Sequence, residues 1–224
     1  MINVFVELAV SLALGIYGYI VACCYVNGIK LRNVNKDILK IKGKSKVIYL
    51  SIYILVIVTL TVVLSQVYVE NNLLQNLRLV SLVSFIFPMA AVDFRLQKIP
   101  NSLILSAIVF RIVIFVAEII VYRDNFFALL KNYTLGAVII SGFFFLLMLV
   151  FKNSIGMGDV KLFFVMRFYQ GIWGTINSVF FSLVASFVIS VTLLITKRKG
   201  KKDTISFCPS ILVGTVVGIM LSGI

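Results

Sequence analysis

Apolar residues run along this chain in blocks of about twenty, separated by short polar breaks. The blocks fall near residues 4–26, 48–69, 77–92, 102–122 and 133–151, then a short one near 160–172, then 175–196 and 207–223. A helix needs roughly 20 mostly apolar residues to cross a ~30 Å hydrocarbon core. The pattern therefore predicts an all-α, polytopic membrane bundle of about eight transmembrane segments. The first block has no basic stretch ahead of it and resembles the later blocks in length, so it reads as the first span rather than a cleaved signal peptide. No internal repeat, low-complexity tract or long linker interrupts the pattern, and residues 1–224 read as a single transmembrane domain.

Composition supports this. Hydrophobic residues make up 61% of the chain and charged residues 13%, against about a quarter charged in soluble domains. The net charge of +13 suits either nucleic acid or an anionic membrane surface, and its distribution selects membrane lipid over nucleic acid. The short loop 27–47 holds Lys30, Arg32, Lys36, Lys40, Lys42, Lys44 and Lys46 against Asp37 alone, and the positive-inside rule makes it cytoplasmic. Alternation then places Arg95, Lys98, Lys152, Lys161 and the run from Lys197 to Lys202 on the same side. Of the remaining five basic residues, Arg78, Arg123 and Lys131 fall outside, and Arg111 and Arg167 fall within spans. Both termini are expected outside. Arg111, near mid-membrane, should face a cavity or a partner.

The sequence excludes much chemistry. It contains no histidine, and its three cysteines, Cys23, Cys24 and Cys208, form no C-x-x-C pair, so no metal site built from Cys and His is expected. Ser-His and Cys-His nucleophiles and the H-E-x-x-H motif are removed as well.

Eight carboxylates remain. Asp37, Glu70, Asp124 and Asp203 sit in polar loops and read as solvated charges. Glu7 and Glu118 lie toward the outer ends of the first and fourth spans, where a carboxylate can reach the interface. Asp93 and Asp159 differ, because each marks the point where an apolar span meets the cytoplasmic face, and topology puts them at one depth. Asp93 follows the run Val80 to Val92, near a helix C-terminus that disfavours negative charge, so something else must justify it. Asp159 follows Gly156-Met157-Gly158 and can serve as an N-cap. Two neighbouring carboxylates share one proton. The ionised member can activate water while the protonated member donates toward a peptide carbonyl, without metal, histidine or serine. Gly156 and Gly158 would allow strained dihedrals before Asp159 and close approach of a substrate strand.

Two stretches carry a resemblance: Asp93-Phe-Arg-Leu-Gln-Lys98-Ile-Pro100-Asn101, and Gly156-Met-Gly158-Asp159-Val-Lys161-Leu162. They resemble the paired active-site motifs of type IV prepilin peptidases, intramembrane aspartyl peptidases with an aspartate ahead of I-P-N and a G-x-G-D-x-K-L segment. A third stretch from Ile205 to Gly214, with the pattern I-x-F-x-P, is similar to the start of the family's last span. The resemblance covers residues 75–224. It implies catalytic aspartates at Asp93 and Asp159, with Gly156, Gly158, Lys161, Lys98, Pro100 and Asn101 as substrate-binding or motif-supporting residues. It further implies a multi-pass prokaryotic cell-membrane endopeptidase that removes the short basic leader from prepilins or pseudopilins at the cytoplasmic face. Pro100 and Asn101 also fit a structural role, since proline suits a first helical turn and Asn101 or Ser102 can cap the fourth span.

Many members carry an insertion with two C-x-x-C pairs after the first span and also methylate the new amino terminus. Loop 27–47 has no cysteine, so no cofactor is expected, and S-adenosylmethionine would enter only if methyl transfer is retained, with Gly15, Gly18 and the basic loop as a reduced form of that region. A different class, an ion-coupled transporter or channel using Asp93, Asp159, Glu118 and Arg111, does not require the motif pair. A non-catalytic assembly subunit would not need both aspartates, and a presenilin-like protease normally has tyrosine where Val92 precedes Asp93.

Overall fold

The computed structural model describes residues 2–28, 43–121, 142, 156–196 and 206–224. Among these residues there is no strand. The helices are α1 (Ile2–Val26), α2 (Gly43–Gln66), α3 (Leu73–Leu96), α4 (Asn101–Val121), α5 (Met157–Ile195) and α6 (Cys208–Ser222). In lipid, helices apolar on all sides can face the tails, whereas a helix carrying polar and charged side chains must turn them into the protein; α3, with Asn76, Arg78 and Asp93, is the least apolar of the long helices. Helix α3 is the buried one: 83% of its apolar window is enclosed by protein, against 11 to 33% for the other four long helices. It touches every other helix. The outer helices turn Phe5, Leu55, Val109, Phe180 and Phe187 outward, as lipid-facing surfaces do.

Close packing at α3 relies on missing side chains. A Cβ on Gly18 would come within 2.7 Å of the Pro88 ring, and one on Gly15 would overlap the Tyr53 ring. Tyr53 in turn donates to Ser84 Oγ at 3.0 Å, tying α2 to α3. The same device joins α5 to α6. A Cβ on Gly214 would lie 2.3 Å from the Ser182 nitrogen, and one on Gly218 would lie 3.2 Å from the Ser178 Cα. Small residues four apart on both helices let the backbones meet, the usual means of helix association in lipid.

Helix α5 is continuous in sequence but reverses in space. Its first arm begins beside the start of α6, where Phe163 packs on Phe207 with ring centroids 6.2 Å apart. By Gly174 it has reached the other end of α6, at the backbone of Ile224. From there Ser178 meets Gly218 and Ser182 meets Gly214, so the second arm runs back. The reversal occurs at Gly171, with φ 72° and ψ −171°, a conformation that only glycine adopts at low cost. The expected sixth and seventh segments are therefore these two arms, joined without a loop. Among the described residues five helices are long and apolar enough to cross a membrane and α6 is shorter, so the expected count of eight is not confirmed. The expected fifth segment, 133–151, lies outside the described residues except for residue 142.

Three expectations about charged residues are corrected. Glu118 does not reach an interface: it is 4% exposed, and its carboxylate bridges Arg78 at 3.4 Å and Arg111 at 2.9 Å. Arg78, expected on the outer side, is not exposed there but lies buried within α3. Arg111, fully buried, also donates to the Phe168 carbonyl at 2.8 Å and sits 5.1 Å from the Phe168 ring centroid. A buried charge persists only when paired, and one carboxylate here serves two guanidiniums. Glu7 is likewise buried rather than interfacial.

Candidate active site

Helix α3 ends at Leu96 because Gln97 takes a left-handed conformation (φ 52°), and its N–H caps the Asp93 carbonyl at 2.8 Å. Asp93 thus sits in the last turn of α3, where the helix dipole opposes its charge. The compensation comes from α6. The Cys208 N–H, first in that helix, donates to Asp93 Oδ2 at 3.1 Å. Pro209 follows in the first turn, where its missing N–H costs nothing. The stretch from Ile205 to Pro209 therefore supplies a helix N-terminus aimed at a carboxylate. Phe207 is the N-cap residue, and its ring packs on Phe163 of α5.

Asp159 occupies the third position of α5 rather than the expected N-cap, which is Gly156. Its Oδ2 accepts the Gly156 N–H at 3.2 Å, satisfying one of the free donors at a helix start. The expected strained backbone is absent: Gly156 has φ −76° and ψ 147°, an ordinary extended conformation, and Gly158 lies within the helix. The glycines serve close approach instead. A Cβ on Gly158 would meet Ile99 Cβ at 3.2 Å, and one on Gly156 would lie 3.2 Å from Asp159 Oδ2.

The two motifs therefore interlock. Ile99 covers Gly158, and Lys161 Nζ donates to Asn101 Oδ1 at 2.9 Å, pinning the first turn of α5 to that of α4. Pro100 provides the carbonyl that receives the Leu103 and Ile104 N–H groups at 3.2 and 3.3 Å. It sits one position before the first helical turn in which proline was expected. Asn101 opens α4 without capping it.

Asp93 and Asp159 line one cleft of about 340 Å3, together with Lys98, Asn101, Gly156, Gly158 and Lys161. Of the residues expected in the site, only Pro100 is not on the cleft wall. Tyr25, Gln97, Ile99 and Met157 also line it and were not singled out from the sequence. Tyr25 gave no signal beyond an aromatic residue at the end of an apolar run.

Two carboxylates on separate helices, one held by a helix N-terminus and one by a capping turn, thus face a common cleft. The model of the type IV leader peptidase family matches residues 80–194, which include both aspartates and both motifs. The chain belongs to that family. Its several apolar helices make it a multi-pass membrane member. It is 27% identical over 140 residues to the prepilin leader peptidase/N-methyltransferase of Bacillus subtilis (strain 168), covering 62% of this chain and 53% of that protein. The chain thus spans about half the length of the curated relative it matches. No solved structure matches it.

The fold also bears on other readings. Glu118 and Arg111 hold each other, and Glu118 stands about 25 Å along α4 from Asn101 at the cleft, so among the described residues they form no path with the two aspartates. The ion-path reading loses its basis. Gly15 and Gly18 are packed against Tyr53 and Pro88 and leave no cradle for S-adenosylmethionine. Most of the basic loop lies outside the described residues.

Proposed function

We propose that this chain is an intramembrane aspartyl endopeptidase that removes the short basic leader from type IV prepilins or pseudopilins at the cytoplasmic face of a prokaryotic cell membrane. The observation that carries the reading is the shared cleft of Asp93 and Asp159. With one proton between them, the ionised carboxylate takes a proton from water as it attacks the scissile carbonyl. The protonated carboxylate donates to the carbonyl oxygen, and the leaving amine is protonated as the intermediate collapses. The Cys208 N–H on Asp93 and the Gly156 N–H on Asp159 orient the two carboxyl groups toward water and substrate in the cleft. Lys98 and Lys161 on the cleft wall can direct the peptide carbonyls.

The test is cleavage of prepilin peptides by the purified protein, with the cut mapped by mass spectrometry. Asp93→Asn and Asp159→Asn should each lower the rate by several orders of magnitude while still inserting. The double variant should be scarcely slower than either, because residues acting as a unit are not additive. Substantial cleavage by Asp93→Asn would overturn the mechanism.

A further inference from the structure

A second cavity, of about 180 Å3, lies at the end of the bundle opposite the aspartates, between the starts of α1 and α3 and the end of α2. Asn76 on its wall is about 25 Å along α3 from Asp93. Two buried polar atoms on its wall lack a partner, and both are acceptors. A hydrogen bond joins the Glu7 and Asn76 side chains, but Glu7 Oε2 and Asn76 Oδ1 have no partner, although the residues are only 1% and 5% exposed. The Ser65 hydroxyl donates to the Val62 carbonyl at 3.0 Å and the Tyr68 hydroxyl to the Met220 carbonyl at 3.0 Å. What these four groups still offer the cavity is lone pairs, while Asn3 and Asn71 complete its polar wall and Asn71 Nδ2 donates to the Gly223 carbonyl at 2.9 Å. Glu7 is the one charged residue on the wall.

Burying a carboxylate oxygen and an amide oxygen without donors is costly, so the ligand that fits best donates to both oxygens and carries a single positive charge to balance Glu7. An alkylammonium group has three N–H donors and no acceptor. A divalent metal is poorly served, since one carboxylate is present and no group of three His, Cys, Asp or Glu residues stands together among the described residues. A quaternary ammonium has the charge but no donor. We propose that this cavity binds a primary ammonium group, anchored by Glu7 and Asn76. Such a group can come from an ethanolamine lipid headgroup at the interface or from a free amine in solution. The cavity is independent of the proposed peptidase chemistry.

The full chain in phosphatidylcholine nanodiscs would be titrated with ethanolammonium chloride, and with choline chloride at equal ionic strength, following heat of binding and Tm. Ethanolammonium should bind saturably and raise Tm, and choline should do neither. In Glu7→Gln the affinity should fall about tenfold or more, since a charge-assisted contact is lost. Should that variant fold poorly, Ser65→Ala, which keeps the charge, should weaken binding a few-fold. Replacing part of the disc lipid by phosphatidylethanolamine separates the sources: a Tm rise that Glu7→Gln abolishes assigns the site to the headgroup, and a response to the soluble amine alone assigns it to solution. Equal binding of choline and ethanolammonium, unchanged binding in folded Glu7→Gln, or no response to either amine source overturns the proposal.

Discussion

Replacing Glu118 by Gln tests the buried charge cluster directly. The substitution keeps size and shape but leaves Arg78 and Arg111, 3% and 0% exposed, without their shared carboxylate. Breaking a buried ion pair by removing one partner costs about 3 to 5 kcal/mol. Because one carboxylate serves both arginines, that figure applies once and not twice. Part of the charge of Arg111 stays compensated by the Phe168 carbonyl at 2.8 Å and by the rings of Phe115, Phe168 and Tyr169, so the lower end, about 3 kcal/mol, is expected. Unfolding in mixed micelles titrated with denaturing detergent would measure it. Cleavage per folded molecule should change little, since Glu118 is remote from the cleft. Replacing Arg78, Arg111 and Glu118 together by apolar residues of similar volume should recover most of the loss, because no charge is then stranded. A Glu118→Gln protein within about 0.5 kcal/mol of the parent, the range of ordinary surface substitutions, would refute the reasoning.

At Gly214, valine would drive a side chain into the Ser182 backbone and separate α5 from α6. Because α6 donates the Cys208 N–H to Asp93, both Tm and cleavage should fall, whereas Val213→Ala on the exposed face should leave both near the parent. Cleavage should persist in excess chelator, and loss restored specifically by zinc would show a metal site. Cysteines placed at Lys40 and Lys199 should resist labelling from outside intact cells, and efficient labelling at either would refute the topology drawn from the basic loops.

The helical blocks were legible in the sequence because hydropathy over about twenty residues is a local property. The two aspartates were legible because acids at the edges of apolar runs are scarce, and the chemistry open to a chain without histidine is narrow. Even Gly171 falls at the boundary between two expected segments, although only the packing of both arms against α6 revealed a reversal without a loop. Other features were closed to sequence reasoning. Glu118 and Glu7 looked interfacial, since depth along a helix says nothing about which neighbours surround it. The glycines of the G-x-G-D segment suggested backbone strain, yet what they accommodate is Ile99 and the carboxylate of Asp159. The charge of Asp93 at an unfavourable helix end had no explanation until α6, 115 residues further along the chain, brought its first N–H to the carboxylate. Local composition determined which segments are helices and which acids stand at their ends. The tertiary structure decided which of those acids are paired, held or left facing a cavity, because that depends on contacts between residues the chain itself keeps far apart.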